Sequence, residues 1–230
     1  MNAIAIILGI VIIILFFVLY KYFTTTASKL NKSTNMNLNT NLSSNSITKI
    51  DSPTNTQYAF GIWIYVVSWN YSTSKTIFNF DGAMKVYIDS NSPSLKVDIN
   101  TTDKKKSPAT TIITDNFPLQ KWVFIIVSMD NSYLDVYLDG KLIKSVLITN
   151  PTQPPSTTNI VLGNSNTPFQ PFNANVANFY RWSIPMDPGT AWNYYMKGNG
   201  QGGLMSSMSA YGLNMQVLQN NVETASYQLF

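Results

Sequence analysis

The chain has 230 residues, room for one large β domain or two small ones, yet only 11% of them are charged, far below the usual level of about a quarter. The formal charge of +4 reflects scarce acids: Arg181 is the only arginine, Glu223 the only glutamate, and the one basic cluster, Lys104 to Lys106, reads as a solvated loop, so nucleic-acid binding is not expected. With no cysteine and no histidine, disulfides, thiolate metal sites, cysteine nucleophiles and histidine catalysis are excluded, and the lack of disulfides leans toward a cytosol-facing domain.

Ala3 to Tyr20 is AIAIILGIVIIILFFVLY, 18 residues without a charge. As a helix rising about 1.5 Å per residue it spans roughly 27 Å, close to the hydrocarbon core of a bilayer. A cleaved signal peptide is the alternative. Against it, only Met1 and Asn2 precede the run, the run exceeds a usual h-region, and the following TTTAS is a poor cleavage site. Residues 1–22 are therefore expected to be a retained transmembrane anchor meeting the lipid bilayer through Ala3 to Tyr20. Lys21, Lys29, Lys32 and Lys49 all follow the run, which by the positive-inside rule places the C-terminal bulk on the cytosolic side. Four glycosylation sequons, Asn31, Asn41, Asn70 and Asn100, point to the lumen if used. In a chain so rich in Asn, Ser and Thr such sequons arise by chance, and the lysines weigh more.

Residues 23–56 are mostly Asn, Ser and Thr without a sustained period and read as a tether. Alternatively the stretch runs extended across a partner surface, with Met36, Leu38 and Thr40 alternating. From Gln57 to the C-terminus, 57–230, the texture is that of strands. YAFGIWIYVVSW alternates Phe60, Ile62, Ile64 and Val66 against Trp63, Tyr65, Val67 and Trp69, apolar on both faces, as in a central strand covered on both sides. TIFNF, AMKVYI, SLKVDI and TTIIT follow at short intervals, with turns at Asp81-Gly82 and Ser90 to Pro93, and NIVLG and NANVANFYRW come later.

The stretch Gln120 to Ile148, QKWVFIIVSMDNSYLDVYLDGKLIKSVLI, carries two turn pairs, Asp130-Asn131 and Asp139-Gly140, and reads as a three-stranded meander. Two-residue turns at both pairs put Val136 opposite Ile143, Leu134 opposite Ser145 and Val127 opposite Leu134. One face then holds Val123, Ile125, Val127, Leu134, Val136, Leu138, Ile143 and Leu147. The other holds Trp122, Phe124, Ile126, Tyr133, Asp135 and Tyr137, with Asp135 across from Lys144. Further on, Asp187 can N-cap, Pro188 suits the first helical position and Gly198 the C-terminal cap, which predicts one short helix near 187–197 with a stripe of Ala191, Trp192, Tyr195 and Met196. The glycine-rich Gly198 to Gly203 lacks the ending of a phosphate-binding loop and reads as a linker. Tyr211 to Phe230 reads as a hairpin around Asn220-Asn221.

FGIWIYV, KWVFIIVSMDNSYLDVYLDGKLI, NIVLG and ANFYRWSIPMDPGTAWNYYMKGNG, in this order and spacing, resemble the laminin-G-like branch of the concanavalin A-like lectin/glucanase superfamily. The resemblance implies an all-β, antiparallel jelly-roll sandwich of a dozen or so strands, here preceded by one transmembrane helix. Glucanase members of that superfamily use paired carboxylates, and retaining hydrolysis needs them about 5–5.5 Å apart. Glu223 has no acid near it in sequence, and Asp135 and Asp139 are explained by a cross-strand lysine and a turn, so the chain is not expected to be an enzyme and no cofactor is implied. Some laminin-G-like members bind calcium, but Asp81, Asp130 and Asp139 sit where turns favour Asp anyway. Anchor, polar tether and laminin-G-like domain together resemble virion membrane proteins, or minor capsid proteins, of large DNA viruses. This implies a structural protein tethering an inner membrane to the capsid shell, with capsid or membrane proteins as partners. Trp122, Phe124, Tyr133 and Tyr137 form the candidate docking face. The alternative is a carbohydrate-binding or adhesion module on an outer surface, with glycans as ligands of the same face.

Overall fold

A computed structural model describes residues 9, 11–16, 27–36, 40–42, 54–71, 73–105, 107–155, 159–163, 172–199, 214–219 and 222–228. In chain order its elements are β1 (Ala27–Asn35), β2 (Thr40–Leu42), β3 (Gln57–Val66), β4 (Lys75–Phe80), β5 (Met84–Ile88), β6 (Leu95–Ile99), β7 (Ala109–Thr114), β8 (Trp122–Asp130), β9 (Tyr133–Leu138), β10 (Lys141–Leu147), β11 (Ile160–Leu162), β12 (Ala174–Trp182), α1 (Pro188–Met196), β13 (Asn214–Gln219) and β14 (Val222–Gln228). Two six-stranded sheets form. The first runs β1-β12-β3-β8-β9-β10, the second β2-β11-β4-β5-β6-β7, and β13 and β14 pair with each other. All pairings are antiparallel, an arrangement consistent with a jelly roll.

Alternation in β3 sends Phe60, Ile62, Ile64 and Val66 into the space between the sheets, where each is fully buried. There Phe60 meets Phe78, Phe80 and Phe179 at ring distances of 5.2–5.8 Å. Each large apolar side chain so buried contributes roughly 1.5–3 kcal/mol before entropy is subtracted, which is why the period-2 pattern dictates the sandwich. The only arginine, Arg181, is buried in the same layer, its guanidinium about 6.0 Å from the rings of Tyr58 and Phe60. Burial raises the Tyr58 hydroxyl pKa, the nearby Arg181 charge opposing it.

The meander forms, with two changes of register. Asp139 and Gly140 take φ of +49° and +76°, the two positive values a type I′ turn needs, and Leu138 pairs with Lys141 as expected. A bulge between Leu142 and Lys144 then places Val136 opposite Lys144 and Leu134 opposite Val146. Ile143 and Leu147, expected on the core face, are consequently exposed, and Val146 packs on the core instead. Asp135 faces Ser145 rather than Lys144. The cause is location: β10 is the end strand of its sheet, where bulges are tolerated and no outer neighbour enforces the period. At the other turn Asn131, with φ of +54°, and Ser132 make the loop, so Val127 faces Val136 rather than Leu134. That shift is two residues, which preserves which face each side chain occupies. Val123, Ile125, Val127, Leu134 and Val136 accordingly all remain in the core.

The sandwich begins earlier than Gln57. Within 23–56, read above as a tether, β1 pairs with β12 from Ala27↔Trp182 to Asn35↔Asn175, and β2 pairs with β11. Met36 is 1% exposed, and its amide donates to the Ala174 carbonyl at 2.8 Å. These strands join through backbone bonds at the sheet margins, which require no apolar period, so composition concealed them. The β13–β14 hairpin falls within the expected Tyr211 to Phe230. Of the apolar stretch Ala3 to Tyr20, residue 9 and residues 11–16 are described and helical, with Val11 to Phe16 exposed. The rest of the expected span lies outside the described residues, and no helix among the described residues is long and apolar enough to cross a membrane. Gly200 to Gly203 also lies outside them.

Candidate functional site

The outer face of the first sheet carries a second apolar layer. Alternation that turns Phe60 and Ile62 inward turns Ala59, Trp63 and Tyr65 outward; Trp122, Phe124, Ile126, Tyr137, Ala177, Tyr180 and Trp182 join them from neighbouring strands. Helix α1 covers the middle of this layer. Asp187 caps it, its Oδ1 accepting from the Thr190 amide at 2.9 Å, Pro188 stands in the first turn, and Gly198 with φ of +71° ends it. Those Thr190 hydrogen bonds hold the Asp187 carboxyl below its usual pKa. Ala191 is fully buried against the sheet, and Tyr194 and Tyr195 pack beside it.

Two glycines let these layers approach. A Cβ on Gly61 would stand 2.7 Å from Trp182 Cη2. A Cβ on Gly140 would stand 3.0 Å from Trp192 Cε3 and 3.1 Å from Tyr195 Cβ, so the β9–β10 turn is also the seat of the helix. Trp63 stacks between Phe124 at 5.0 Å and Tyr195 at 5.6 Å. Trp182 meets Tyr194 edge-on at 4.8 Å, and Tyr180 meets Tyr194 at 5.4 Å. The indole Nε1 atoms of Trp63 and Trp182 are buried and find no acceptor among the described residues. Tyr137 donates to the Met186 carbonyl at 3.0 Å, and burial, with lesser contributions from Asp135 and Asp187, raises its hydroxyl pKa.

Past the helix this layer emerges as a patch. Tyr65 and Trp122 lie 5.6 Å apart, both half-buried. Trp192 is 44% exposed and 5.4 Å from Tyr195. Asp139, in the β9–β10 turn, meets residues on either side of Trp122 in the chain, its Oδ1 accepting from the Phe124 amide at 2.9 Å and its Oδ2 3.7 Å from Lys121 Nζ. The patch thus offers flat aromatic surface flanked by one ion pair: a surface suited to stacking and hydrogen bonding. Asp139 already holds two partners. Among the described residues no group of three His, Cys, Asp or Glu is placed to hold a metal ion.

Of the four residues expected to form a docking face, only Trp122 contributes to this patch. Phe124 and Tyr137 are buried beneath α1, at 0% and 2% exposure, because the helix rather than the opposite sheet covers that face. Tyr133 is exposed but sits at the far end of β9, beside the Asn131-Ser132 turn. Tyr65, Trp192 and Tyr195 complete the patch and were not singled out as a site. The alternation of Trp63 and Tyr65 signalled an outward aromatic row, but which members stay exposed depends on where α1 lands. Among the sequons, Asn70 is exposed and Asn100 half-buried, its amide donating to the Ala83 carbonyl; Asn31 and Asn41 lie in β1 and β2.

Two antiparallel sheets with a short helix on the outer face define the class of lectin-like jelly-roll sandwiches. A family profile described as the concanavalin A-like lectin/glucanases superfamily, of the laminin-G type, matches residues 38–191, and the chain belongs to that family. No curated protein sequence matches the chain. Among solved structures it is similar to the botulinum neurotoxin serotype D binding domain, at 15% identity and a TM-score of 0.51, over 62% of this chain and 37% of that one. It is also similar to the binding domain of botulinum neurotoxin DC in complex with rat synaptotagmin II, at 17% identity and a TM-score of 0.51, over 66% and 38%. The chain thus spans under two fifths of those binding domains, and at such identities the likeness is one of fold.

Proposed function

We propose that this chain is a non-enzymatic, membrane-anchored docking protein whose sandwich binds a neighbouring protein through the aromatic patch of Tyr65, Trp122, Trp192 and Tyr195. The observation that carries the reading is the patch itself. Trp and Tyr dominate protein-interface hot spots, and here they stand half-exposed over a rigid stacked layer, costing little entropy to order on binding. The apolar Ala3 to Tyr20 provides the membrane attachment. In its specific form the reading is a virion protein of a large DNA virus, anchored in the inner membrane with the sandwich toward the capsid shell. The combination of apolar stretch, laminin-G-like domain and sparse charge motivates it. Replacing Trp122 and Trp192 with Ser in the full chain tests the reading. The fold, followed by circular dichroism, is expected to survive, and co-sedimentation of the membrane-embedded chain with shell proteins to fall at least tenfold. Unchanged co-sedimentation would overturn the reading.

A second reading, glycan binding on an outer surface, is favoured by one feature. The Tyr65–Trp122 pair lies next to Asp139 and Lys121, and an aromatic ring face beside hydrogen-bonding groups suits a sugar ring. It predicts saturable binding on a glycan array that the same double variant abolishes.

A further inference from the structure

The two sheets are closed against each other on one side and open on the other. On the closed side β1 and β2, the end strands of the two sheets, follow each other along the chain, with the buried Met36 between them. On the open side the sheets end in β7 and β10, and no strand among the described residues pairs with their outer edges. Between β7 and β10 lies a cleft of about 290 Å³. Ala109, Val146 and Ile148 give it an apolar lining, and Thr101, Thr111 and Asn150 supply hydroxyl and amide groups. One end of the cleft is tied off where Thr102 donates to the Asn150 carbonyl and Thr152 to the Asn100 carbonyl.

The same side carries unusual exposed chemistry for so sparsely charged a chain. Ile112, Leu142, Ile143 and Leu147 are 46–60% exposed. Lys141 and Lys144 on β10, and Lys104 and Lys105 in the loop before β7, are exposed, and none makes an ion pair among the described residues. The acids nearby are fewer. Asp103 is exposed and lines the cleft, Asp135 is half-buried, and Asp98 is occupied by the Thr110 hydroxyl at 2.7 Å and the Tyr87 hydroxyl at 3.2 Å.

We propose that this open side is a second binding surface: the β10 edge accepts an extended acidic segment of a partner protein, which adds as a strand with its carboxylates toward Lys141 and Lys144 and its apolar side chains toward the exposed Leu142 and Leu147. An end strand presents unpaired N–H and C=O groups, a template that extended peptides extend by backbone hydrogen bonding. After the bulge, Lys144 to Leu147 run in regular register with Val136 to Tyr133, so the outer edge is regular along the half of β10 that borders the cleft. The lysines select the occupant. In an edge-to-edge pair of two copies they would face lysines, which is destabilising, whereas Asp or Glu on the incoming strand is favoured. Alternation does the rest: Lys141 and Lys144 lie across from Leu138 and Val136 on one face of the sheet, and the exposed Leu142 and Leu147 across from Tyr137 and Tyr133 on the other, so a strand with acids on one face and aliphatic residues on the other matches both. The inference does not depend on the aromatic patch, which lies on the outer face of the sheet near Gly140.

The test uses the full chain in nanodiscs of zwitterionic lipid and two fluorescein-labelled heptapeptides, one alternating Glu and Val, the other alternating Lys and Val. Fluorescence anisotropy is expected to show saturable binding of the Glu–Val peptide that weakens as salt rises, and none of the Lys–Val peptide. K141E/K144E, both at exposed positions, should retain the circular dichroism of the parent, lower Glu–Val affinity at least tenfold and create Lys–Val binding. The Trp122→Ser/Trp192→Ser variant should bind the Glu–Val peptide as the parent does, which separates this surface from the docking patch. Three outcomes would overturn the proposal: saturation by neither peptide, affinity unmoved by the charge reversal, or peptide contacts by cross-linking that miss Lys141 to Leu147.

Discussion

Gly140 meets two separate demands at one residue. Its φ of +76° closes the β9–β10 turn, and the absence of a Cβ admits Trp192 and Tyr195. The first demand was readable from Asp-Gly; the second was not, since the helix that lands there lies some fifty residues downstream. Gly140→Ala should therefore cost more than the ~1–2 kcal/mol of a left-handed backbone alone, read as a lowered denaturant midpoint, and a neutral result would contradict the seating of α1. Tyr137 and Tyr133 share a face and were grouped as site candidates, but they belong to different environments. Tyr137→Phe removes the hydrogen bond to the Met186 carbonyl and should cost about 0.5–1.5 kcal/mol, whereas Tyr133→Phe should stay within ~0.5 kcal/mol. Equal effects on urea unfolding would undo that distinction.

Two carboxylates set the expected acid response at the same scale. The Lys96 ammonium, 2.9 Å from Asp89, and the Thr190 hydrogen bonds to Asp187 hold both carboxyls below their usual range. Each contributes stability above the unfolded pKa of about 3.9, and that contribution is lost as pH falls through the depressed folded values. D89N/D187N should therefore be less stable than the parent at neutral pH and converge with it in acid. A gap that stays constant from pH 7 to pH 2 would show that these carboxylates are not linked to folding.

Among the elements, the helix was readable and its role was not. Asp187, Pro188 and Gly198 mark its ends without any tertiary information. Which side it buries is decided by a sheet face whose members come from four different strands, and this is why the predicted stripe held Met196, which is 65% exposed, and omitted Tyr194. The bulge in β10 was equally hidden, because an end strand has no second neighbour to impose its period. Gly61 records how closely β12 and β3 approach: Gly61→Ala would drive a methyl into the Trp182 ring and should cost about 1–3 kcal/mol. Met36 tests whether the N-terminal strands belong to the fold. Met36→Ala should cost about 2–5 kcal/mol if it fills the core as placed, and a loss below ~0.5 kcal/mol would return residues 27–42 to the status of a tether.

At the scale of the whole molecule, the layer architecture was legible because period-2 patterning, turn chemistry and strand spacing agree over most of the chain. The extent of the sandwich was not legible, because β1 and β2 pair at the sheet margins through backbone bonds that require no apolar period. The candidate site was legible in kind, as aromatic residues on an outward face, but not in membership: burial by α1 removes Phe124 and Tyr137 and leaves Trp122. The proposed function joins an apolar stretch, proposed as the membrane anchor, to a sandwich proposed to dock on the side its lysines specify. Two lines of sequence evidence disagree about that side, with Lys21, Lys29, Lys32 and Lys49 opposed by the sequons.

Protease protection combined with glycan analysis therefore tests the account most directly. The full chain is expressed with sealed vesicles, protease is added outside, and the protein is checked for an endoglycosidase-sensitive mass shift. The account predicts a digested, unglycosylated sandwich. A protected domain carrying glycans, above all at the exposed Asn70, would contradict it and make glycan binding or adhesion on an outer surface the leading function.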